Sequence, residues 1–394
     1  MQACKFLIIG GGLAADAAVR GIHDAGGTGP IVVVSDEDDP PYNRPPLSKA
    51  LWKGTEVDSI WRHTESAGAE LRLGTRIVAL DPDRGTATDS RGDVFAYEKL
   101  LLATGGSPRH LRNGDPSVIY FRRLADFKRT WEAASHGSEF VVIGGGFIGS
   151  EIAAALAMNG RKVSLIFPGS SICERILPRP LANFLNIYFR KRGVDVLFNE
   201  RVQRIAKKAE KLVVGTRGNG RIEADVVVAG IGIEPNVDLA KAAGLTVRSG
   251  IIVDEMLRTS HPHIFAAGDV ANFPCRVLRQ RFRFEHEDNA DAMGRTAGHN
   301  MAGGSEVYRH LPFFYSDLFD LGYEAVGSID SGLDVVEDWV QKFHKGVVYY
   351  LKKRRVHGVL LWNTWGLVDA ARQLIASRQE LQPAELIGRL RDGK

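Results

Sequence analysis

An apolar run, a glycine turn and a small-residue helix pattern occur twice in this chain. The copies read FLIIGGGLAADAA from Phe6 and FVVIGGGFIGSEIAAALA from Phe140. The first glycine of such a turn permits a tight bend, and the second lets backbone approach a pyrophosphate. The small third residue lets the helix settle on the strand. In the first copy these are Gly10, Gly12 and Ala15, with Leu13 and Ala14 between. In the second they are Gly144, Gly146 and Gly149, with Gly145, Phe147 and Ile148 completing the turn. The helix that follows each turn offers unpaired N–H groups and a positive dipole end to phosphates. Two copies, at Gly10 and Gly144, predict an α/β chain with two Rossmann-like domains. A chain that binds two dinucleotides passes electrons between them.

The residues after each second strand differ. IVVV ends at Ser35-Asp36-Glu37, and an acid there accepts hydrogen bonds from a ribose diol. VSLIF instead runs into Pro168, Gly169, Ser170 and Ser171, with Arg175 nearby. Those hydroxyls and that arginine would receive a 2′-phosphate. Alternatively the loop leaves the ribose in water, and both readings stay open. LLLATGGSPR, with Thr104 and Gly105, has the pattern of a crossing between two nucleotide domains. HIFAAGDVANF places Gly268 and Asp269 at a strand end, where an acid suits polyol hydroxyls or simply caps a turn.

At 394 residues, two or three domains are expected. A composition of 44% hydrophobic and 25% charged residues predicts a packed interior. The net charge of +4 gives no argument for nucleic acid. The only cysteines are Cys4, Cys173 and Cys275, with no CxxC pair. That spacing speaks against a disulfide framework or a metal site and for a reducing compartment. The apolar run near the start is too short for a secretory signal, and no stretch is long enough to span a membrane. A cytoplasmic protein, monomeric or homodimeric, is expected.

The ordered set of motifs resembles the two-dinucleotide flavoprotein reductases of the glutathione reductase structural class. PPYNRPPLSKALW is similar to the branch holding oxygenase-coupled ferredoxin reductases and apoptosis-inducing factor. GIEPNVDLA, RFEHEDNADAMGRTAGHNMAGG, FFYSDLFDLGYEAVGSID and KGVVYYLKKRRVHGVLLWN resemble its apoptosis-inducing-factor side. The resemblance implies FAD in the first fingerprint and NADH or NADPH in the second. It implies an FAD domain over 1–115 and 246–307, an NAD(P)H domain over 116–245, and a C-terminal α+β domain over 308–394. In that last region KGVVYYLKK and RRVHGVLLWN read as strands around a basic turn, before a helical LVDAARQLIA.

Disulfide reductases of this class carry redox cysteines on the segment that here reads PPLSKALW, taken as the start of a helix. Ser48 and Lys49 stand in their place, so electrons must leave from the flavin itself. The resemblance puts Lys49 near flavin N5, paired with Glu151, where a cation stabilises arriving negative charge. Arg44 would contact the FAD pyrophosphate; Ile77, Arg122 and Glu287 also fall at FAD-binding positions. Phe147 would screen the flavin ring. EHEDNADAMGRTAGHNM reads as a helix entered through Glu285-His286 and capped by Asp288 or Asn289, its dipole aimed at the flavin. His286 would manage a proton or touch nicotinamide. Gly232, Glu285, Glu324 and Asn363 match dinucleotide-binding positions.

Two departures stand out. Tyr315 replaces a tryptophan near the cofactors, and Gly169 replaces a ribose-binding glutamate. An acidic insertion before the final hairpin and a mitochondrial leader are both missing, which leaves an apoptotic role with little support. The expected acceptor is an acidic ferredoxin- or rubredoxin-type iron–sulfur carrier, steered by a basic rim at Arg276, Arg279, Arg281 and Arg283 or by the clusters in FRRLADFKR and KKRR. A solvated or phosphate-facing arginine strand is left open as the other reading. The alternatives are quinone reduction and a redox-responsive binding protein.

Overall fold

FLII and IVVV show no alternation of apolar and polar residues, as parallel strands covered on both faces require. In the computed structural model, which describes residues 1–218 and 220–390, Phe6–Ile9 and Ile31–Val34 are buried throughout. The chain divides into two compact units. One comprises Met1–Asn43, Glu56–Ser107 and Glu234–Pro312; the other comprises Arg44–Thr55, Pro108–Ile233 and the chain from Phe313 onward.

In the first unit, strand Gln2–Ile9 is the centre of a parallel set, flanked by Ile31–Val34 and Val94–Leu102. Glu70–Arg72 and Ile264–Ala266 extend the set, and Thr86–Asp89 and Ile77–Asp81 add an antiparallel edge. Helix Leu13–Asp24 packs on helix Glu287–Met301 almost backbone to backbone. A Cβ at Gly294 would lie 2.3 Å from the Ala14 carbonyl oxygen, and one at Gly298 would lie 2.0 Å from that of Ala18. The same helix is tied to the loop beyond it by Asp16, which is fully buried and accepts hydrogen bonds from Arg20, Arg62 and Thr64. Burial works against the charged carboxylate, and those three donors outweigh it, holding the Asp16 pKa below the ordinary value.

The second unit has its own parallel sheet, ordered Val194–Leu197, Val163–Ile166, Phe140–Ile143, Val226–Ala229, Ile119–Tyr120. A meander of Val202–Lys208, Lys211–Thr216 and Arg221–Ala224 covers one face over an apolar cluster that includes Val141, Ile166, Val214 and Val227. The C-terminal part is an antiparallel sheet, ordered Phe313–Leu318, Leu321–Gly327, Arg355–Trp362, Lys345–Lys352, Asp334–Gln341. Helix Val368–Ser377 packs on it. Two doubly covered parallel cores and this added sheet form the α/β architecture the sequence predicts.

Candidate functional site

The proline-rich segment is not the start of one helix. Pro45–Ser48 and Ala50–Lys53 are two 3₁₀ turns meeting at Lys49, whose φ of −132° and ψ of −94° fit neither. Two prolines fix φ at the first turn, and Gly54 ends the second at φ +90°. Trp52 anchors the segment. Its indole N–H donates to the Leu47 carbonyl at 2.8 Å, and its ring meets Phe127 and Trp131 edge-on.

This bend delivers Lys49 to Glu151, on the helix Phe147–Met158 that opens from the second glycine turn. The ammonium lies 2.8 Å from Oε2, with 8% of the lysine side chain and 1% of the glutamate exposed. Ser48 Oγ donates to the same oxygen at 2.5 Å, and Ser316 Oγ donates to Oε1 at 2.6 Å. Burying two charges is costly unless their remaining valences are met. Here both carboxylate oxygens have hydroxyl donors. Sequence reasoning missed both serines as partners, because a single serine carries no pattern. The Lys49 Nζ also sits 5.2 Å from the centroid of the Tyr315 ring.

Other candidates of this unit surround the turn or lie on the C-terminal sheet. Gly144 takes φ +120°, with space for a Cβ closed by the Gly230 carbonyl at 2.3 Å; a Cβ on Gly146 would meet nothing within 4 Å. Gly149 is buried and Ile148 exposed. The helix has no side-chain cap. Phe147 meets Phe314 at 4.9 Å; Phe314 meets Tyr323, which stacks on Trp362. Glu324 stands opposite Tyr315 in the strand register. Its Oε2 is buried with no hydrogen-bond partner, and burial raises the carboxyl pKa. Asn363 spends its side chain on the Gly322 N–H and the His344 carbonyl. Arg44 donates to the Arg122 carbonyl at 3.3 Å. The Gly232 carbonyl accepts from the Arg109 N–H, and Arg175 is exposed.

In the first unit, Gly10 turns at φ +122° against the Ala103 carbonyl, and the helix from Leu13, entered through Gly12, again lacks a side-chain cap. Thr104 and Asn236 exchange hydrogen bonds at 2.8 Å each, and Asn236 N–H reaches the Gly105 carbonyl. Gly268 packs 3.0 Å (as a Cβ) from Ala14, which puts Asp269 beside the same helix start as Ala15. Asp36 is exposed; Glu37 accepts the Tyr42 hydroxyl at 2.8 Å, and Ile77 is buried.

His286, not Asp288 or Asn289, takes the N-cap position of helix Glu287–Met301, with no side-chain capping hydrogen bond. Asp288 instead pairs with His310, and Asn289 accepts the Tyr308 hydroxyl through Oδ1, its buried Nδ2 having no partner. His286 is partly buried, and burial pushes its pKa down to about 4, which keeps the imidazole neutral near pH 7. Glu285 is ion-paired with Arg283 at 2.7 Å. The arginine-rich strand is largely tied down. Arg276 pairs with Glu255, and Arg281 and Arg283 donate to backbone carbonyls of Val253 and Asp269.

All three cysteines are buried and free. Burial raises the Cys4 thiol to about 11 and the Cys173 thiol to about 12, and it raises Cys275 as well. None is a reactive thiolate, consistent with a reductase that has no redox-active disulfide. Among the described residues, no helix is long and apolar enough to cross a membrane.

Residues 4–294 match the family model described as pyridine nucleotide-disulphide oxidoreductase. Residues 297–342 and 336–377 match that of apoptosis-inducing factor, mitochondrion-associated, C-term. The chain is 32% identical to apoptosis-inducing factor 1, mitochondrial, of Dictyostelium discoideum, over 96% of this chain and 79% of that protein. It is 32% identical to putidaredoxin reductase of Pseudomonas putida, over 96% of this chain and 93% of that protein. The solved covalent putidaredoxin reductase–putidaredoxin complex superposes with a TM-score of 0.92 at 31% identity, covering 97% of this chain and 95% of that one.

Proposed function

The chain belongs to the pyridine nucleotide-disulphide oxidoreductase family, and from that premise we propose that it is an NAD(P)H-dependent flavoprotein reductase passing electrons to an iron–sulfur carrier. The observation that carries this reading is the buried Lys49–Glu151 pair in a segment with no cysteine between Cys4 and Cys173. A thiol relay has no sulfur to use there. A lysine held by a carboxylate and two serines does have a use: it fixes positive charge at one point in a dry site.

The residues present suit the two dinucleotides. Both glycine turns lead into helices without side-chain caps, and the second glycine of the second turn faces open space. The orphaned Glu324 oxygen is an acceptor suited to a nicotinamide amide. FAD held at the first glycine turn would supply the chemistry that accepts electrons in pairs and releases them singly. Lys49 then supplies charge, Glu151 orients it, and Ser48 and Ser316 hold Glu151. His286 stands as a neutral imidazole at the N-cap position of its own helix.

Titration with NADH and NADPH without air, followed by cytochrome c reduction with and without an acidic [2Fe–2S] protein, tests the proposal. Bleaching of a yellow cofactor and acceleration by the carrier, weakened by salt, are the expected results. A colourless protein after FAD addition would overturn it. The C-terminal match to apoptosis-inducing factor favours a second reading, a reductase of quinones or a redox-responsive binding protein. Rapid quinone turnover with no effect of any carrier would select it.

A further inference from the structure

The loop after strand Val163–Ile166 carries no acid at the strand end, yet a carboxylate is there. A Cβ built on Gly169 would lie 2.2 Å from Oε1 of Glu174 and 2.6 Å from its carboxyl carbon. The Glu174 head group fills the volume that a side chain at position 169 would take. Its Oε2 accepts the Ser170 N–H at 2.7 Å and the Ser170 hydroxyl at 2.8 Å. Oε1 accepts no hydrogen bond among the described residues.

The loop is built to hold this carboxylate. Cys173 adopts φ +54°, a conformation that costs a non-glycine residue energy. Its N–H donates to the Gly145 carbonyl at 2.7 Å, which ties the loop to the second glycine turn. Asn186 accepts the Ile172 N–H and donates to the Ser170 carbonyl, and Ser171 donates to Asn183. Four residues of loop are thus fixed between a phosphate-binding turn and a helix, and Glu174 follows directly. The end of the strand, up to Pro168 just before Gly169, borders a cleft of about 980 Å³ also lined by Ile143 and Glu200. Glu200, which follows the neighbouring strand Val194–Leu197, has its Oε2 buried without a partner. The arginines on this cleft, Arg112, Arg201 and Arg204, are exposed.

We infer that Glu174 accepts a hydrogen bond from the adenosine ribose and rejects a 2′-phosphate, so that this chain selects NADH over NADPH. This rests on the reading of the second fingerprint as a nicotinamide-dinucleotide site. In such sites an acid bonds the ribose hydroxyls, and it normally stands at the strand end itself. Here it comes from eight residues downstream of the strand end, through a loop bent back at Cys173. A 2′-phosphate would meet a carboxylate whose other oxygen is already committed to Ser170, and two like charges brought together repel.

Calorimetric titration of the purified holoprotein with ADP-ribose and with 2′-phospho-ADP-ribose tests this without any electron transfer. Wild type should bind the unphosphorylated ligand at least about tenfold more tightly. Glu174→Gln keeps the shape and removes the charge, and it should shrink that ratio about tenfold, mainly by tightening the phosphorylated ligand. Gly169→Ala keeps the charge but pushes the flexible carboxylate aside, and it should move the ratio the same way. Equal binding of both ligands by wild type, or an unchanged ratio in folded Glu174→Gln, would overturn the inference and leave the dinucleotide site standing. Failure of wild type to bind either ligand would remove the dinucleotide reading and this inference with it.

Discussion

Lys49 and Glu151 meet at 2.8 Å across 102 positions of sequence, both withdrawn from solvent. Removing one partner of such a pair leaves a buried charge, so Lys49→Met should cost about 3–5 kcal/mol of stability. Neutralising both in Lys49→Met/Glu151→Gln should recover most of that loss. Reduction by NADH should not recover, and should stay slower by on the order of 10²-fold, the scale for losing one preorganised donor. Urea denaturation and stopped-flow absorbance separate the two effects. A double variant that regains both would make the pair purely structural.

Ser48 and Ser316 act on different oxygens of Glu151, and this makes them unequal. Oε2 has both Ser48 and Lys49, whereas Oε1 has Ser316. A hydrogen bond to a charged group contributes about 1.5–3 kcal/mol. Ser316→Ala should therefore fall in that range, and Ser48→Ala below it. Denaturant midpoints of the two variants check the order, and losses under about 0.5 kcal/mol in both would show water taking over.

What was legible in the sequence is what backbone geometry forces into residue identity. A turn at φ +122° against a neighbouring carbonyl admits glycine at position 10, and Gly144 repeats it. Both leave a mark that spacing alone reveals. Buried parallel strands likewise cannot alternate. Side-chain reach leaves no such mark. Ser316 is 165 positions from Glu151, and Glu174 reaches back over Gly169 through one strained residue. A carboxylate eight positions after an acid-free strand end was the available signal, and only the fold showed where it points. The PPLSKALW segment misled for a related reason: proline favours a helix start, and the break at Lys49 has no residue signature. The arginine strand is a further case, because charge in a sequence does not show which guanidinium groups also donate to carbonyls.

His286 sets an acid-side dependence. Burial lowers its pKa to about 4, below the ordinary value near 6.5, so the folded chain resists a proton the unfolded chain takes up. Stability is fully present above about pH 6.5 and declines as pH falls through the window down to about 4. His286→Asn should flatten that decline while leaving stability at pH 8 nearly unchanged. Denaturation at half-unit pH steps, with proton NMR of the imidazole, measures both. An imidazole titrating near 6.5 would refute the expected dependence.

Gly144 and Gly146 lie two positions apart and should respond oppositely to the same substitution. Gly144 has φ +120° and a Gly230 carbonyl 2.3 Å from any added Cβ, so Gly144→Ala meets both strain and backbone. A loss of about 3 kcal/mol or more follows from those two costs together. Gly146 has φ −88° and open space where a Cβ would go, so Gly146→Ala should change stability by no more than about 0.5 kcal/mol. That open space is where a pyrophosphate would approach the helix start. Gly146→Ala should therefore weaken ADP-ribose binding about tenfold or more in a fully folded protein. Thermal melts and calorimetry on the two variants read the contrast. A Gly146→Ala protein that binds as tightly as wild type would place the phosphates elsewhere.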